Sequence, residues 1–286
     1  MAEKVRMQST RRHKPGARAC QKAFLLAHMK AAEQAARRAA KVLESWRQRF
    51  TVNEKARFDL VTEADVASQK TIQEFLGRRF PGYAFLGEEG EAAKVRPDLA
   101  GPPTWIVDPI DGTTNYVHDC PLYCVSIGLW MSGDLVVGVI YDPCRKEMFS
   151  GAKGLGAWVN GRRLHTSSAD RLDQALLATG FPPDMRGQEI TLDWWRFFSL
   201  RTRSLRRTGS TALNMAYVAA GRFDGYWAFD NHVWDVAGAA VLVCEAGGTL
   251  TNIDGSAYDP FTPDALVSNG PLHPAILKAW RSGPGS

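Results

Sequence analysis

The chain has 286 residues, of which 45% are hydrophobic and 23% charged, and it carries a formal net charge of +5. This composition is typical of globular proteins and excludes collagen-like, low-complexity and disordered classes. At this length we expect a single domain over residues 21–282, with two lobes over about 21–165 and 166–282. Apolar runs stay below the roughly 18 to 20 residues of a membrane span and no secretory signal is visible, so we expect a cytoplasmic protein without membrane contact.

The cysteine spacing and the distribution of charge narrow the class of protein further. The five cysteines show no CxxC spacing, which argues against a disulfide scaffold or a zinc site. Residues 1–20 are basic and lack apolar periodicity, so we predict a disordered tail there and no nucleic-acid binding. A second basic group consists of Arg201, Arg203, Arg206 and Arg207. We interpret it as an exposed strand edge, with an anion site or a partner surface as the alternative.

Two helices are predicted in the first quarter of the chain. Apolar residues recur at spacings of three and four from Leu25 to Trp46, which indicates one long amphipathic helix. Because this stripe is mostly alanine, we expect it to pack closely on a neighbouring helix. Thr62 can cap a second helix, with Asp65 reaching back to the cap, and this helix should end near Arg79.

The middle of the chain is predicted to form a largely antiparallel sheet. A short strand over residues 83–86 leads to two carboxylates between glycines, Glu88 and Glu89, and then to a loop over residues 91–103. The next strand covers residues 105–107, and Pro109 and Gly112 should stop it and prepare a helix start. Further strands are predicted over residues 123–130, 135–141 and 147–150, with a hairpin turn at 160–161.

Strands and helices alternate in the second half. The predicted strands cover residues 175–179, 204–207, 225–229, 249–251 and 265–267. The predicted helices cover residues 189–201 and 210–220, the segment from Trp234 to Glu245, and a last segment that ends near Trp280. No fixed-period repeat is present, so a repeat architecture is not expected.

Asp108 and Asp111 lie three residues apart with a proline between them. Two neighbouring carboxylates repel strongly in a dry site unless a cation compensates them. Oxygen ligands suit Mg²⁺, and the carbonyl of Ile110 could complete part of such a shell. The alternative is that these acids, like Glu88 and Asp235 taken singly, are solvated or cap helices.

The residues that follow these acids favour phosphate. Gly112, Thr113 and Thr114 offer backbone N–H groups and hydroxyls at a predicted helix start, where an anion is stabilised. A magnesium ion next to a phosphate, with a bound water acidified for attack on phosphorus, describes a phosphoester hydrolase.

Three segments together resemble the inositol monophosphatase family: Gly87-Glu88-Glu89, the stretch from Trp105 to Asn115, and Trp234-Asp235-Val236-Ala237-Gly238. Segments 59–65 and 207–248 extend the resemblance to about residues 25–282. It implies a layered α-β-α-β-α sandwich, shared with fructose-1,6-bisphosphatases, and Mg²⁺-dependent hydrolysis of a small phosphate monoester. It also implies a homodimer and inhibition by lithium.

The resemblance further implies roles for individual residues. One Mg²⁺ site matches Glu88, Asp108 and the Ile110 carbonyl, a second matches Asp108, Asp111 and Asp235, and a third matches Glu88 and Asp65. Glu88, Thr113 and Asp65 are the expected catalytic residues, with Thr113 and Glu88 as the pair that orients and deprotonates the attacking water. Phosphate contacts are expected from Gly112, Thr113 and Thr114, and substrate contacts from Gly209, Ser210 and Thr211. Lys55 falls near a mobile basic residue of the family.

The substrate is less sharply indicated. Many inositol-specific relatives carry an acid seven positions before the Trp-Asp aspartate, where this chain has Ala228, followed two residues later by Asp230. Inositol-1-phosphate is the favoured substrate, and the alternatives are fructose-1,6-bisphosphate, histidinol phosphate and 3′-phosphoadenosine 5′-phosphate. A different class of function is an interaction protein on the same fold, whose basic surface binds RNA or a transcription complex.

Overall fold

The computed structural model describes residues 17–47, 49–90 and 96–284. Helix α1 (Ala17–Trp46) begins eight residues before Leu25, so residues 17–20 of the predicted tail are helical. The rest of that tail lies outside the described residues. Helix α2 (Glu63–Arg79) begins with the predicted capping box between Thr62 and Asp65. Five alanines of α1 are fully buried and allow α1 and α2 to pack side by side, as expected: Ala31, Ala32, Ala35, Ala36 and Ala39.

A hairpin that the sequence did not indicate connects the two helices. Strand β1 (Val52–Ala56) pairs antiparallel with β2 (Asp59–Thr62), and Phe58 adopts a positive φ of 62° at the turn. All five residues of β1 are exposed, so the strand lacks the alternation of buried and exposed residues by which a sequence reveals strands.

Seven strands form the larger sheet. In spatial order they are β3 (Ala84–Gly87), β4 (Thr104–Asp111), β5 (Cys124–Met131), β6 (Asp134–Asp142), β7 (Glu147–Ala152), β8 (Gly156–Val159) and β9 (Arg162–Arg163). The β3–β4 pair is parallel and the others are antiparallel, as predicted for this region. A five-residue helix, α3 (Thr113–Val117), follows β4.

The second half of the chain supplies the smaller sheet and four helices. Its strands are β10 (Leu176–Thr179), β11 (Ser204–Arg206), β12 (Gly225–Ala228), β13 (Thr249–Thr251) and β14 (Ala265–Ser268), in the spatial order β11-β10-β12-β14-β13. The helices are α4 (Glu189–Ser199), α5 (Thr211–Ala219), α6 (Val233–Glu245) and α7 (His273–Ser282), and one 3-10 turn (Leu172–Gln174) precedes β10. The arginines interpreted as a strand edge are exposed, and β11 is an edge strand, but only Arg206 lies within it, while Arg201 and Arg203 precede the strand and Arg207 follows it.

The elements stack in five layers. Helices α1 and α2 cover one face of the larger sheet, α5 and α6 fill the space between the two sheets, and α4 and α7 cover the outer face of the smaller sheet. This is the predicted α-β-α-β-α sandwich. In the described part of the chain, no helix combines the length and the apolar character that a bilayer crossing requires.

Candidate active site

Strand β4 does not end at Val107 as predicted but continues through Pro109 to Asp111. The pairing with β5 shifts register between Asp108 and Asp111, so this segment contains a bulge. A bulge leaves one residue outside the ladder, which is how a strand accommodates a proline that cannot donate a hydrogen bond. Within the bulge the backbone N–H of Ile110 donates to Asp108 Oδ1 at 2.9 Å, which fixes the turn between the two acids.

Asp111 connects the end of β4 to the first turn of α5. Its Oδ1 accepts from the Thr211 N–H at 3.1 Å, and its Oδ2 accepts from the Ala212 N–H at 2.7 Å and from the Ser210 hydroxyl. The buried Cys124 thiol lies 3.7 Å from the same Oδ2. Burial raises the pKa of Asp111 to about 6, although the hydrogen bonds from Ser210 and Ala212 act in the opposite direction.

Ser210 joins Asp111 to the start of α5. The residue is 2% exposed, and its hydroxyl donates to Asp111 and accepts from the Leu213 N–H at the cap of α5. These contacts hold the Asp111 carboxylate in place, and the substrate contact expected of Ser210 stays a prediction.

Asp65 and Thr113 meet beside the bulge. Asp65 Oδ2 accepts from the backbone N–H and the hydroxyl of Thr62, which completes the cap of α2. The Thr113 hydroxyl lies 3.2 Å from Asp65 Oδ1 and 3.0 Å from the Ile110 carbonyl oxygen. Its single proton can satisfy one of these acceptors at a time. Burial raises the pKa of Asp65 to about 6.

The segment that follows β3 carries two more acids. Lys55 Nζ, from the exposed hairpin, lies 2.7 Å from Glu88 Oε1 and 2.6 Å from Glu89 Oε1. Burial alone would lower the pKa of Lys55, but the two carboxylates outweigh it and raise that pKa. Burial also raises the pKa of Glu89 to about 7. Gln69 was not anticipated: its amide exchanges two hydrogen bonds with the backbone of Glu89 and thereby holds this segment against α2.

Asp235 stands in the first turn of α6. Its Oδ2 accepts from the His232 N–H at 2.7 Å, and the exposed His232 ring stacks on Trp234. Burial is the main reason why the pKa of Asp235 lies well above its usual range. The negative charge of Asp111 raises this pKa further. His118 and His232 both stand at helix ends, because His118 follows α3 and His232 precedes α6.

Acids from three distant segments face a common space. Asp108 is 2% exposed, and burial raises its pKa, with further contributions from the charges of Glu88, Asp111 and Asp235. A cavity of about 600 Å³ is lined by Glu88, Asp111 and Asp235 together with Lys55. Of the acids that the sequence placed in one site, the structure thus brings Glu88, Asp111 and Asp235 to one cavity, while Asp65 and Asp108 are not among its lining residues.

The donor set fits a hard divalent cation in its chemistry. The acids that face the cavity offer oxygen ligands, and a dense group of buried carboxylates is stabilised by a cation. In the residues that the structure describes, however, no three side chains of His, Cys, Asp and Glu stand arranged to hold a metal ion as they are. Glu88 is paired with Lys55, while Asp111 and Asp235 accept hydrogen bonds from helix N termini. Binding of a cation through Glu88 therefore requires this carboxylate to turn from Lys55.

A second cavity of about 290 Å³ adjoins the first. The residues predicted to hold phosphate, Gly112, Thr113 and Thr114, line it together with Arg207. Gly112 has a φ of 99°, and a Cβ there would come within 2.9 Å of the Leu122 carbonyl oxygen, so only glycine fits. The two cavities share Asp111 and Thr211.

The substrate side of the larger cavity is partly apolar. Ala228 and Phe229 line it where the family comparison suggested an acid, and Asp230 lies exposed at its edge with a positive φ of 62°. Phe181 and Pro183 also line both cavities and were not anticipated. Their position directly after β10 is the signal that could have identified them, because ligands commonly bind beyond the carboxyl ends of parallel strands.

Comparison with known proteins finds relatives over most of the chain. The model of the inositol monophosphatase family matches residues 26–283. Inositol monophosphatase 3 of Solanum lycopersicum is 42% identical over 252 residues, which cover 87% of this chain and 94% of that protein. The Nus factor SuhB of Pseudomonas aeruginosa is 42% identical over 215 residues, which cover 72% of this chain and 77% of that protein.

A solved structure gives the same result for the fold. Inositol monophosphatase from Anabaena (Nostoc) sp. PCC 7120 superposes with a TM-score of 0.82 at 37% identity, covering 91% of this chain and 98% of that one. Because both the sequence and the layered fold match over most of their length, the chain belongs to the inositol monophosphatase family, a family of metal-dependent phosphoric monoester hydrolases.

Proposed function

We propose that this protein hydrolyses the phosphate monoester of a small polyol, with inositol-1-phosphate as substrate and Mg²⁺ as the metal. One observation carries the proposal: acids from three distant segments line a cavity that adjoins the Gly112–Thr114 segment. The relatives named inositol monophosphatase support the substrate. The oxygen-only donor set supports Mg²⁺ over metals that prefer thiolate or imidazole.

The residues divide the work between metal and substrate. Glu88, Asp108, Asp111, Asp235 and the Ile110 carbonyl would hold Mg²⁺. When bound, Mg²⁺ supplies positive charge against the phosphoryl oxygens and lowers the pKa of a coordinated water. Gly112, Thr113 and Thr114 bind the phosphate oxygens through their backbone N–H groups and the Thr114 hydroxyl.

The proton of the attacking water goes to the acids. The Thr113 hydroxyl donates a hydrogen bond to Asp65 or to the Ile110 carbonyl, so its oxygen can accept a hydrogen bond from the water and orient it. Glu88 accepts the proton that the water loses once Lys55 moves away.

The test is phosphate release from a panel of monoesters with Mg²⁺ and with EDTA. The panel contains inositol-1-phosphate, fructose-1,6-bisphosphate, histidinol phosphate and 3′-phosphoadenosine 5′-phosphate. We expect the highest kcat/KM for inositol-1-phosphate and no activity in EDTA. Full activity in EDTA would contradict the metal, and a higher kcat/KM for another member would reassign the substrate.

Several expectations stay predictions. A homodimer is supported by exposed apolar side chains on and next to α4, at Ile190, Leu192 and Leu200, and sedimentation analysis tests it. We likewise predict a cytoplasmic location, inhibition by lithium, and one domain with lobes over residues 21–165 and 166–282. Localisation of a tagged chain, inhibitor titration and limited proteolysis test these three.

A second candidate function is binding to RNA or a transcription complex. It is favoured by the similarity to a protein named Nus factor SuhB and by the exposed arginines in and next to β11. Salt-dependent retention on RNA that disappears when residues 1–18 are removed, or when Arg201, Arg203 and Arg206 are neutralised, would support it. Absence of retention at low salt would contradict it.

A further inference from the structure

Thr211 occupies a position between the two cavities. It is the first residue of α5 and lines both the space that contains Asp235 and the space that contains Thr113. Its backbone N–H donates to Asp111, and its hydroxyl lies 2.8 Å from the hydroxyl of Tyr226. Thr211 is therefore tied to the acids by its backbone and to the smaller sheet by its side chain.

Tyr226 is the buried member of this hydrogen-bonded pair. It lies in the middle of β12 with 0% exposure, and Thr211 is the hydrogen-bond partner of its hydroxyl among the described residues. A Cβ at Gly180 would approach the Tyr226 hydroxyl to 2.9 Å and the Ala228 Cβ to 3.1 Å. The phenol can thus reach Thr211 because residue 180 has no side chain.

Either hydroxyl can be the donor in this pair, and the surroundings of each one distinguish the two arrangements. Two hydroxyls carry two protons, and one proton is shared between them, so the other remains available. Burial raises the pKa of Tyr226, which keeps the phenol protonated and able to donate. Tyr226 is enclosed, whereas Thr211 is half-buried and lines the cavities. If Tyr226 donates to Thr211, the proton of the Thr211 hydroxyl stays available on the cavity side. A hydroxyl that accepts one hydrogen bond is a stronger donor in the next, so Tyr226 strengthens Thr211 as a donor.

We propose that Thr211 is a specificity-determining residue that donates a hydrogen bond to a hydroxyl oxygen of the leaving group, and that Tyr226 is a positioning residue that orients it. This inference rests on the proposed phosphatase function. The two uncharged hydroxyls of Thr211 and Tyr226 would then recognise the polyol, on a side of the larger cavity where Ala228 and Phe229 contribute no polar side chain. The substrate class is a monoester with a free hydroxyl next to the phosphorylated carbon.

The experiment compares two substrates that differ in ring hydroxyls. The kcat/KM for inositol-1-phosphate is divided by that for cyclohexyl phosphate, which has the same ring size and no free hydroxyl. In Thr211→Val, which keeps the shape of the side chain, we expect this ratio to fall about tenfold, the scale of one lost hydrogen bond. In Thr211→Ser the hydroxyl is retained and the ratio should stay near that of the parent protein.

The phenol is tested by its dependence on Thr211. Tyr226→Phe should lower the ratio about threefold, because the Thr211 hydroxyl remains but is no longer oriented. The double variant Thr211→Val/Tyr226→Phe should have the ratio of Thr211→Val alone, since the two groups act in series. Tyr258→Phe is the matched control, because the Tyr258 hydroxyl is buried without a hydrogen-bond partner in the described part of the chain.

The outcomes separate this inference from the proposed function. Equal losses on both substrates in Thr211→Val, or additive losses in the double variant, would overturn the inference. If the parent protein released no phosphate from any monoester of the panel, the proposed function would fail instead. Thermal melting of each variant identifies misfolding. If Thr211→Val does not fold, Tyr226→Phe is the test, and an unchanged ratio of kcat/KM between the two substrates in that variant overturns the inference.

Discussion

Asp235 illustrates how one carboxylate serves both structure and chemistry. One oxygen accepts from the His232 backbone and completes the first turn of α6, while the other has no donor among the described residues. Asp65 and Asp111 likewise hold the first turns of α2 and α5. The two interpretations that the sequence left open, helix cap and metal ligand, are therefore compatible, because a carboxylate has two oxygens that can serve different partners.

This division predicts the behaviour of Asp235→Asn. The amide oxygen still accepts from the His232 N–H, so the melting temperature should change little. Loss of the negative charge should lower kcat by about 10²- to 10³-fold, the scale of removing one charge-stabilising group. Kinetic assays and thermal melts of the purified variant check both parts. Asp173→Asn, which removes a charge from an exposed ion pair with Arg171, is the control, and a large loss of stability in Asp235→Asn would contradict the argument.

Ser210→Ala tests the support of a second acid. The variant removes the hydroxyl that donates to Asp111 and accepts from the Leu213 N–H. Loss of this cap should lower the free energy of unfolding by about 1 kcal/mol. The Mg²⁺ concentration for half-maximal activity should rise about tenfold, as for other groups that orient a ligand. Denaturant titration and Mg²⁺ titration measure the two effects, and an unchanged Mg²⁺ requirement, matching a Ser45→Ala control, would count against this role for Ser210.

At the scale of elements, the position of α6 depends on glycines. A Cβ at Gly138 in β6 would lie 2.0 Å from the carbonyl oxygen of Gly238, and a Cβ at Gly238 would lie 2.8 Å from Ser126 Oγ. The helix can therefore approach the larger sheet only where both surfaces lack side chains. Because α6 carries Asp235 at its first turn, this contact sets the distance between Asp235 and the acids of β4.

Gly138→Ala should disturb both packing and catalysis. The added methyl group forces α6 away from β6, which should lower the free energy of unfolding by about 1 to 3 kcal/mol and reduce kcat as Asp235 moves. Gly77→Ala is the matched control, because no atom lies within 4 Å of a Cβ at this position in α2. Alanine in a helix should raise the stability of the control by about 0.5 to 1 kcal/mol. Denaturant unfolding and kcat measurements compare them, and equal effects would contradict the packing argument.

At the scale of the whole molecule, the fold concentrates negative charge in a protein that is positive overall. The formal net charge is +5, yet the pKa values of Asp65, Asp108, Asp111 and Asp235 are raised by burial in one region. Without a cation these carboxyls retain protons at a pH where free carboxyls have lost them. A cation held by these carboxyls would therefore compete with the protons that they retain.

This competition predicts how pH affects stabilisation by Mg²⁺. Asp65 and Asp111 have pKa values of about 6, so at pH 5 they are mostly protonated in the metal-free protein and at pH 7 mostly ionised. A cation must displace those protons at pH 5, so the rise in melting temperature on adding Mg²⁺ should be larger at pH 7. Taking the difference between Mg²⁺ and EDTA at each pH cancels the titration of buried histidines such as His28. An equal or larger rise at pH 5 would contradict the prediction.

Features that depend on neighbours in sequence could be predicted from the sequence. The capping box of Thr62 and Asp65, the start of α6 near Trp234 and the acids around the β4 bulge all involve residues within four positions of one another. Such hydrogen bonds form within one turn or one bulge, so their residue types and spacing are visible in a linear chain. The motifs also indicated the family, and with it the layered fold.

The tertiary structure decided the features that join distant residues. The hydroxyl of Ser210 reaches Asp111 across 99 positions, Gln69 reaches Glu89 across 20, and Thr211 meets Tyr226 on another element. Strand β4 continues past Pro109 because β5 pairs with both sides of the bulge. The sequence by itself determined which residue types could form a site. Only packing decided which oxygens face the cavity, because that orientation depends on donors supplied by other layers of the fold.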